Sequence, residues 1–246
     1  MGKPMGYAED LAYIHDSGYS EYAIKSTPGI VQILQEHHLE RGLIVELGCG
    51  SGWSAKALTE AGYEVLGIDQ SEPLLAIARQ RVPQAKFRPA SFLQTPIPSC
   101  QAAISLSECL NYQFDKRGSL SILSQLFQRI YTALTPGGLW LFDLIEPGQL
   151  SPGEKQQTFN QGRDWTILVE KEEDPDLNTL TRRIITFRQI GDLYRRSDEV
   201  HCVQLYRRGD IARALQEVGF VVEIREGYLP DRLHKAHPVF VARKLA

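Results

Sequence analysis

The sequence lacks a CxxC pair: its four cysteines, Cys49, Cys100, Cys109 and Cys202, stand far apart. That spacing argues against a disulfide framework and gives little support to a zinc site. An apolar run of about 18 residues is also missing, and the opening stretch MGKPMGYAEDLAYIHD has no apolar centre of the kind a signal peptide carries. A membrane span is therefore not expected, and a cytoplasmic location is. The start fails the myristoylation pattern as well, because Gly6 stands where Ser or Thr is wanted. Nor does one sign of charge dominate. Against 27 Lys and Arg there are 30 Asp and Glu, a formal net charge of -3, which removes any global electrostatic reason to seek nucleic acid or an anionic membrane. No internal repeat or low-complexity linker is present. What remains is a 246-residue chain, 43% hydrophobic, long enough to bury one sizeable α/β core.

Short apolar runs alternate with helical patterns through the first 145 residues. LIVELG (43–48), EVLGID (64–69), AKFRPA (85–90), AAISLS (102–107) and LWLFDLI (139–145) read as strands. Helices are expected at 53–61, ended by Gly62, at 72–82 behind a Ser71 cap with Pro73 in the first turn, and at 119–134, ended by TPGG. This alternation implies an α/β fold with a parallel sheet covered by helices on both faces. From about Lys155 to Tyr206 the rhythm changes. DWTILVEKE, LTRRIITFRQ and SDEVHCVQLY, separated by DPDLN and IGDL, read as an antiparallel β insert. A helix over 208–218, ended by Gly219, and two closing strands in FVVEIREGY and HPVFVARKL complete the chain.

The insert carries Arg182-Arg183 and Arg195-Arg196, with Arg207-Arg208 at its end. Residues 155–208 hold ten basic and nine acidic side chains, a balance that suits a salt-bridged, solvated sheet face better than a phosphate-binding one. His37-His38 falls at a helix end, where a cation suits the dipole. His234 and His237 flank the last turn and read as structural. His201 shares a strand face with Glu199, Val203 and Leu205. It is either a buried, satisfied histidine or an acid/base facing a substrate that the insert covers.

In IVELGCGSGWSAKAL (44–58) three glycines stand at alternate positions between a strand and a helix. Such a turn brings backbone N–H groups and a helix N-terminus close to a ligand. The dinucleotide fingerprint needs a further glycine where Trp53 stands, and no Gly-Lys-Ser/Thr follows for a phosphate loop. Asp69 closes the second strand, where a carboxylate can accept both hydrogen bonds of a ribose diol; its alternative is a turn or cap residue. Glu46 lies inside the apolar first strand, and a buried carboxylate needs a partner, such as a ligand amine or an ordered network.

VELGCGSG followed by GYEVLGIDQS closely resembles the first two motifs of the class I S-adenosylmethionine (SAM)-dependent methyltransferases. ASFLQTPIP, AAISLSECLNY, LTPGGLWLFDLIEP and LQEVGFVVEI…HPVFVARK resemble the segments that follow in this family, in the right order over about residues 27–150 and 208–246. The insert resembles the antiparallel platform of small-molecule methyltransferases of the glycine N-methyltransferase-like and sugar-amine type. The resemblance implies a Rossmann-like seven-stranded sheet with the last strand antiparallel. It also implies a lid segment at 1–26, a SAM-binding core at 27–154, an insert at 155–206 serving as substrate cover or dimer surface, and a closing helix and strand pair at 207–246.

Carried residue by residue, it implies that Glu46, Gly48, Cys49, Gly50 and Gly52 border the methionine part of SAM. Asp69 would hold the ribose, Gln70 would lie beside the adenine, and Ser91 and Phe92 would meet its edge. Ser107 and Glu108 would approach the methyl group. YIHDSGYSEYA resembles the lid that covers SAM in relatives, with Tyr19 and Tyr22 as lid candidates or as ordinary helix packing. Asn111, Tyr112, Asp143 and His201 are the substrate candidates, and Glu108 and His201 the candidates for moving a proton. No metal is expected: Asp143 and Glu146 fall where metal-dependent catechol-type relatives carry ligands, but only Glu108 offers a matching acid. Asn111-Tyr112 is not the Asn/Asp-Pro-Pro-Tyr motif of base-amino methyltransferases. The expected activity is methyl transfer from SAM to N or O of a small-molecule acceptor, leaving S-adenosylhomocysteine (SAH), in a chain that acts alone or as a homodimer. The alternatives are a SAM- or nucleotide-binding protein without transferase activity and, less favoured because of Trp53, a nicotinamide-dependent oxidoreductase.

Overall fold

The computed structural model describes residues 6–113, 120–228 and 236–245; His234, Ser119 and residues 1–5 of the expected lid lie outside them. Two helices come first, α1 (Glu9–Gly18) and α2 (Glu21–Glu36). The alternating section follows as β1 (Leu43–Leu47), α3 (Trp53–Glu60), β2 (Glu64–Asp69), α4 (Glu72–Arg81), β3 (Lys86–Pro89), β4 (Cys100–Ser105), α5 (Leu120–Ala133) and β5 (Leu134–Asp143). Local chemistry sets several of these ends. Ser71 caps α4 by accepting the Leu74 N–H at 3.3 Å, with Pro73 in the first turn. Gly219 closes α6 (Arg208–Val218) in a left-handed conformation.

β10 (Val221–Arg225) and β11 (Val239–Arg243) join β1–β5 in one seven-stranded sheet of order β10-β11-β5-β4-β1-β2-β3. β11 runs antiparallel to both of its neighbours, β10 and β5, and the remaining pairings are parallel. Because side chains alternate across a strand, the sheet builds two cores. Val45, Leu47, Trp140, Phe142 and Phe240 pack on one face with α5 and α6. Ile44, Leu139, Leu141, Val239 and Val241 pack on the other with α2 and α3. Burial on both faces explains why these strands read as continuous apolar runs.

Three expectations differ from what is observed. β4 ends at Ser105, so Ser107 and Glu108 lie beyond it, both in the left-handed region at φ 62° and 54°. TPGG does not separate α5 from β5, since the strand begins at Leu134, directly after the helix. The insert holds four strands rather than three: β6 (Lys155–Gln161), β7 (Trp165–Asp174), β8 (Thr179–Ile190) and β9 (Leu193–Gln204), in an antiparallel sheet of that order. β6 escaped because KQQTFNQ is polar and mostly exposed, with no apolar alternation to read.

The insert sheet turns one face inward. Trp165, Ile167 and Ile184 on that face pack against Leu11 and Ile14 of α1. Leu180 and Val203 pack against Ile145. No helix among the described residues is long and apolar enough to cross a membrane.

Candidate active site

The turn between β1 and α3 is built from close approaches that exclude larger residues. A Cβ on Gly48 would meet that of Cys109 at 2.8 Å, and one on Gly52 would meet that of Ala78 at 3.0 Å. Gly50 is different. It also has a positive φ, 52°, but a Cβ there would meet nothing within 4 Å, so the turn opens onto free space at that residue. Asp69, at the end of β2, accepts the Gly50 N–H at 2.9 Å and the Ser71 N–H at 2.8 Å. Burial raises its pKa, against the pull of these backbone hydrogen bonds. Two residues before Gly48, the buried Glu46 accepts a hydrogen bond from Ser54 Oγ. Its second oxygen has no partner among the described residues. Burial pushes its carboxyl up to about 8, with the Asp69 charge adding to the rise. An open glycine turn and a strand-end carboxylate fit a ligand that carries a ribose diol.

At the end of β5, Asp143 is fully buried and gathers five donors. Tyr22 Oη, Tyr228 Oη and His237 Nε2 donate to it at 2.9, 3.0 and 2.9 Å. The backbone N–H groups of Ser107 and Glu108 do so at 3.0 and 2.5 Å. The left-handed pair Ser107–Glu108 is thus held by one carboxylate, which offsets the strain of two side-chain-bearing residues at positive φ. Burial works against a charged His237, but the hydrogen bond and charge of Asp143 hold its pKa above the ordinary value.

A cavity of about 600 Å³ lies between this rim and the insert sheet. Gly48, Gly50 and Asp69 line it on the core side, and Lys171, Arg182 and His201 line it on the insert side. Arg182 pairs with the Glu108 carboxylate and donates to Tyr112 Oη at 2.9 Å. His201 Nε2 donates to Glu199 at 2.8 Å. The same carboxylate accepts the N–H groups of Tyr7 and Ala8 at 2.8 and 2.9 Å, tying the start of α1 to β9. The Tyr7 ring lies 5.0 Å from His15 and 5.1 Å from His201. Burial lowers the His15 pKa to about 4, so its ring is neutral near pH 7.

The expected site residues divide into two groups. Tyr19, Tyr22, Gly48, Gly50, Asp69, Gln70, Phe92, Ser107, Glu108, Tyr112 and His201 line the cavity. Glu46, Cys49, Gly52, Ser91, Asn111 and Asp143 do not. Asn111 in particular is spent on the backbone: its amide donates to Ile145 O at 3.0 Å and Gln204 O at 2.5 Å and accepts the Ile145 N–H at 3.2 Å, stapling the insert to the core. Trp53 donates to Asp16 at 2.8 Å, and the Arg81 guanidinium lies over its ring at 4.0 Å.

The cavity is also lined by Tyr7, His15 and Lys171, which are not among the expected site residues, and by Arg182, which the sequence reading placed on a solvated sheet face but which is mostly buried. A signal for the last two existed. Lys171 follows Trp165, Ile167 and Val169 in the same strand phase, and Arg182 stands between Leu180 and Ile184. A basic residue in the apolar phase of a half-buried strand points at something that needs it.

Residues 44–138 match the family described as a methyltransferase domain. A putative methyltransferase of Bacillus subtilis, YqeM, is 28% identical over 189 residues, 74% of either chain. Among solved structures, an S-adenosylmethionine-dependent methyltransferase from Clostridium acetobutylicum superposes with a TM-score of 0.80 at 17% identity, over 96% of this chain and 98% of that one. CalS10, an amino pentose methyltransferase from Micromonospora echinaspora with SAM bound, does so with 0.76 at 15% identity, over 97% and 98%. The strand order, the glycine turn and these likenesses agree: residues 44–138 carry a methyltransferase domain, in a chain that shares the fold of solved S-adenosylmethionine-dependent methyltransferases.

Proposed function

We propose that the protein transfers the methyl group of SAM to a nitrogen or oxygen of a small-molecule acceptor held between the core and the insert. The observation that carries this reading is one cavity with two unlike walls, the glycine turn and Asp69 on one side and the insert sheet on the other. Asp69 would hold the ribose hydroxyls, Gly48 and Gly50 would leave room for the methionine part, and Gln70 and Phe92 would border the adenine. When bound, SAM supplies a methyl group already activated on a sulfonium. The chain's own residues then have to align the acceptor, keep water out and leave its lone pair free. His201, oriented by Glu199, would take the acceptor's proton. Glu108 fixes Arg182 and, with Ser107, shapes the wall near the core rim. The inward face of the insert lines the cavity, which favours a substrate cover over a dimer surface. The amino sugar acceptor of CalS10 makes amines and hydroxyls of small polar molecules the first acceptors to try.

Titration calorimetry with SAH, with NAD(H) in parallel, tests the cofactor. A screen for SAH formation from SAM across amine, hydroxyl and carboxylic acid acceptors then tests the activity. Binding of NAD(H) in place of SAH would overturn the reading, and binding of SAH with no turnover on any acceptor would leave a cofactor-binding protein only.

A further inference from the structure

Lys171, Arg182 and His201 stand in register across three strands of the insert. Lys171 pairs with Arg182 between β7 and β8, and Arg182 pairs with His201 between β8 and β9. All three line the cavity. Like charges directly opposite each other on one face of an antiparallel sheet are destabilising, so the Lys171–Arg182 pair within this row needs compensation. The neighbouring carboxylates supply only part of it. Glu108 is bound to Arg182, and Glu199 is committed to His201 and to two backbone N–H groups of the α1 entry. Among the described residues the Lys171 ammonium has no hydrogen-bond or ion-pair partner, and the buried Arg182 Nε has none either. Burial first, and the Arg182 charge second, hold the Lys171 pKa below its ordinary value. The free protein therefore keeps an unpartnered lysine and an unmet guanidinium donor side by side on the wall facing the core.

Resting on the reading of this cavity as the acceptor site, we infer that the acceptor carries an anionic oxygen group, a carboxylate or a phosphate, which anchors to Lys171 and to the Nε edge of Arg182. Such a group would complete the row electrostatically. Arg182 would keep its ion pair with Glu108 and offer its remaining edge, while Lys171 would act as a point charge beside it. An acceptor anchored there would lie along the insert wall next to His201, with the rest of the molecule directed toward the core rim. A cationic acceptor would instead meet the like-charged row and be disfavoured.

The test is calorimetric titration of the SAH-saturated protein with citrate, glycerol 3-phosphate and glucosamine. Citrate or glycerol 3-phosphate should bind and glucosamine should not; which of the two acids binds distinguishes carboxylate from phosphate. Lys171→Met should weaken the anion about ten- to hundredfold with SAH affinity unchanged, and Lys171→Arg should retain most of the binding. Unchanged SAH affinity in both variants also reports that they fold. The inference is overturned if glucosamine alone binds, if neither acid binds a protein that does bind SAH, or if Lys171→Met leaves anion affinity intact. Failure of SAH itself to bind would instead overturn the methyl-transfer reading on which the inference rests.

Discussion

Glu46 offers a measurement that needs no substrate. Its carboxyl is raised from an ordinary 4.5 to about 8 in the folded protein. A carboxyl raised on folding opposes the folded state once it must ionise. Below about pH 4.5 both states are protonated and there is no penalty. Between that point and pH 8 the unfolded chain loses its proton while the folded chain keeps it, so stability falls with rising pH. Above pH 8 the loss is complete, and at 1.36 kcal/mol per pH unit it reaches about 5 kcal/mol. Glu46→Gln removes the titration and keeps an acceptor for Ser54 Oγ. The variant should match the parent near pH 5 and exceed it by several kcal/mol near pH 8.5, as read from urea unfolding across that range. If the ammonium of SAH supplies the missing partner, binding near pH 6.5 should also expel about one proton from the parent and none from Glu46→Gln. Calorimetry in buffers of different ionisation enthalpy measures this release. Parallel stability curves for the two proteins from pH 5 to 8.5 would refute the argument that the carboxyl is held neutral by burial.

Other expectations follow from the same rim. Gly50→Ala should cost only about 1–2 kcal/mol of stability, for the left-handed backbone, yet abolish SAH binding, since its methyl group would project into open space. Gly52→Ala meets Ala78 at 3.0 Å and should lose more stability than Gly50→Ala; thermal melts and SAH titrations of the pair separate the two effects. Asp69→Asn should lower SAH affinity by about 2 kcal/mol, because a carboxylate accepting from a diol outperforms an amide, with calorimetry as the readout. Asp143→Asn should destabilise by about 3 kcal/mol or more, since five buried donors converge on that carboxylate. His237 is held above its ordinary pKa by Asp143, so its contribution is present at low pH and lost as pH rises through the folded value. The deficit of Asp143→Asn should therefore be larger near pH 5.5 than near pH 9, as urea unfolding at both pH values would show.

The parts legible in the sequence are those whose physics is local. The glycine turn announces itself because only glycine tolerates the close approaches at Gly48 and Gly52. The end of β2 announces itself because Asp69 follows a buried apolar strand. The inner strands of the main sheet, such as β1, β4 and β5, are readable from their two buried faces, and the insert's edge strand β6 is not, because nothing buries it. The donors to Asp143 come from α2, from the turn after β4 and from the approach to β11, residues 22, 107, 108, 228 and 237. No spacing rule links them. Tyr7 and Arg182 meet through Tyr112 from places 105 and 70 residues away from it, respectively. Only the folded chain brings such groups together.

Helix α1 is fastened at both ends to different bodies. Near its start, Asp10 accepts from Arg195 Nε at 2.6 Å and from Ser197 Oγ at 3.2 Å on β9. Near its end, Asp16 accepts from Trp53, the first residue of α3, and from Arg81 of α4. A ligand that draws the insert toward the core therefore pulls on the same helix that braces the glycine turn. Where such a pull occurs, occupancy of the two walls is thermodynamically linked. By reciprocity, whatever factor the acceptor adds to cofactor affinity, the cofactor adds to acceptor affinity, and the two substrates become partners in binding before any bond is made.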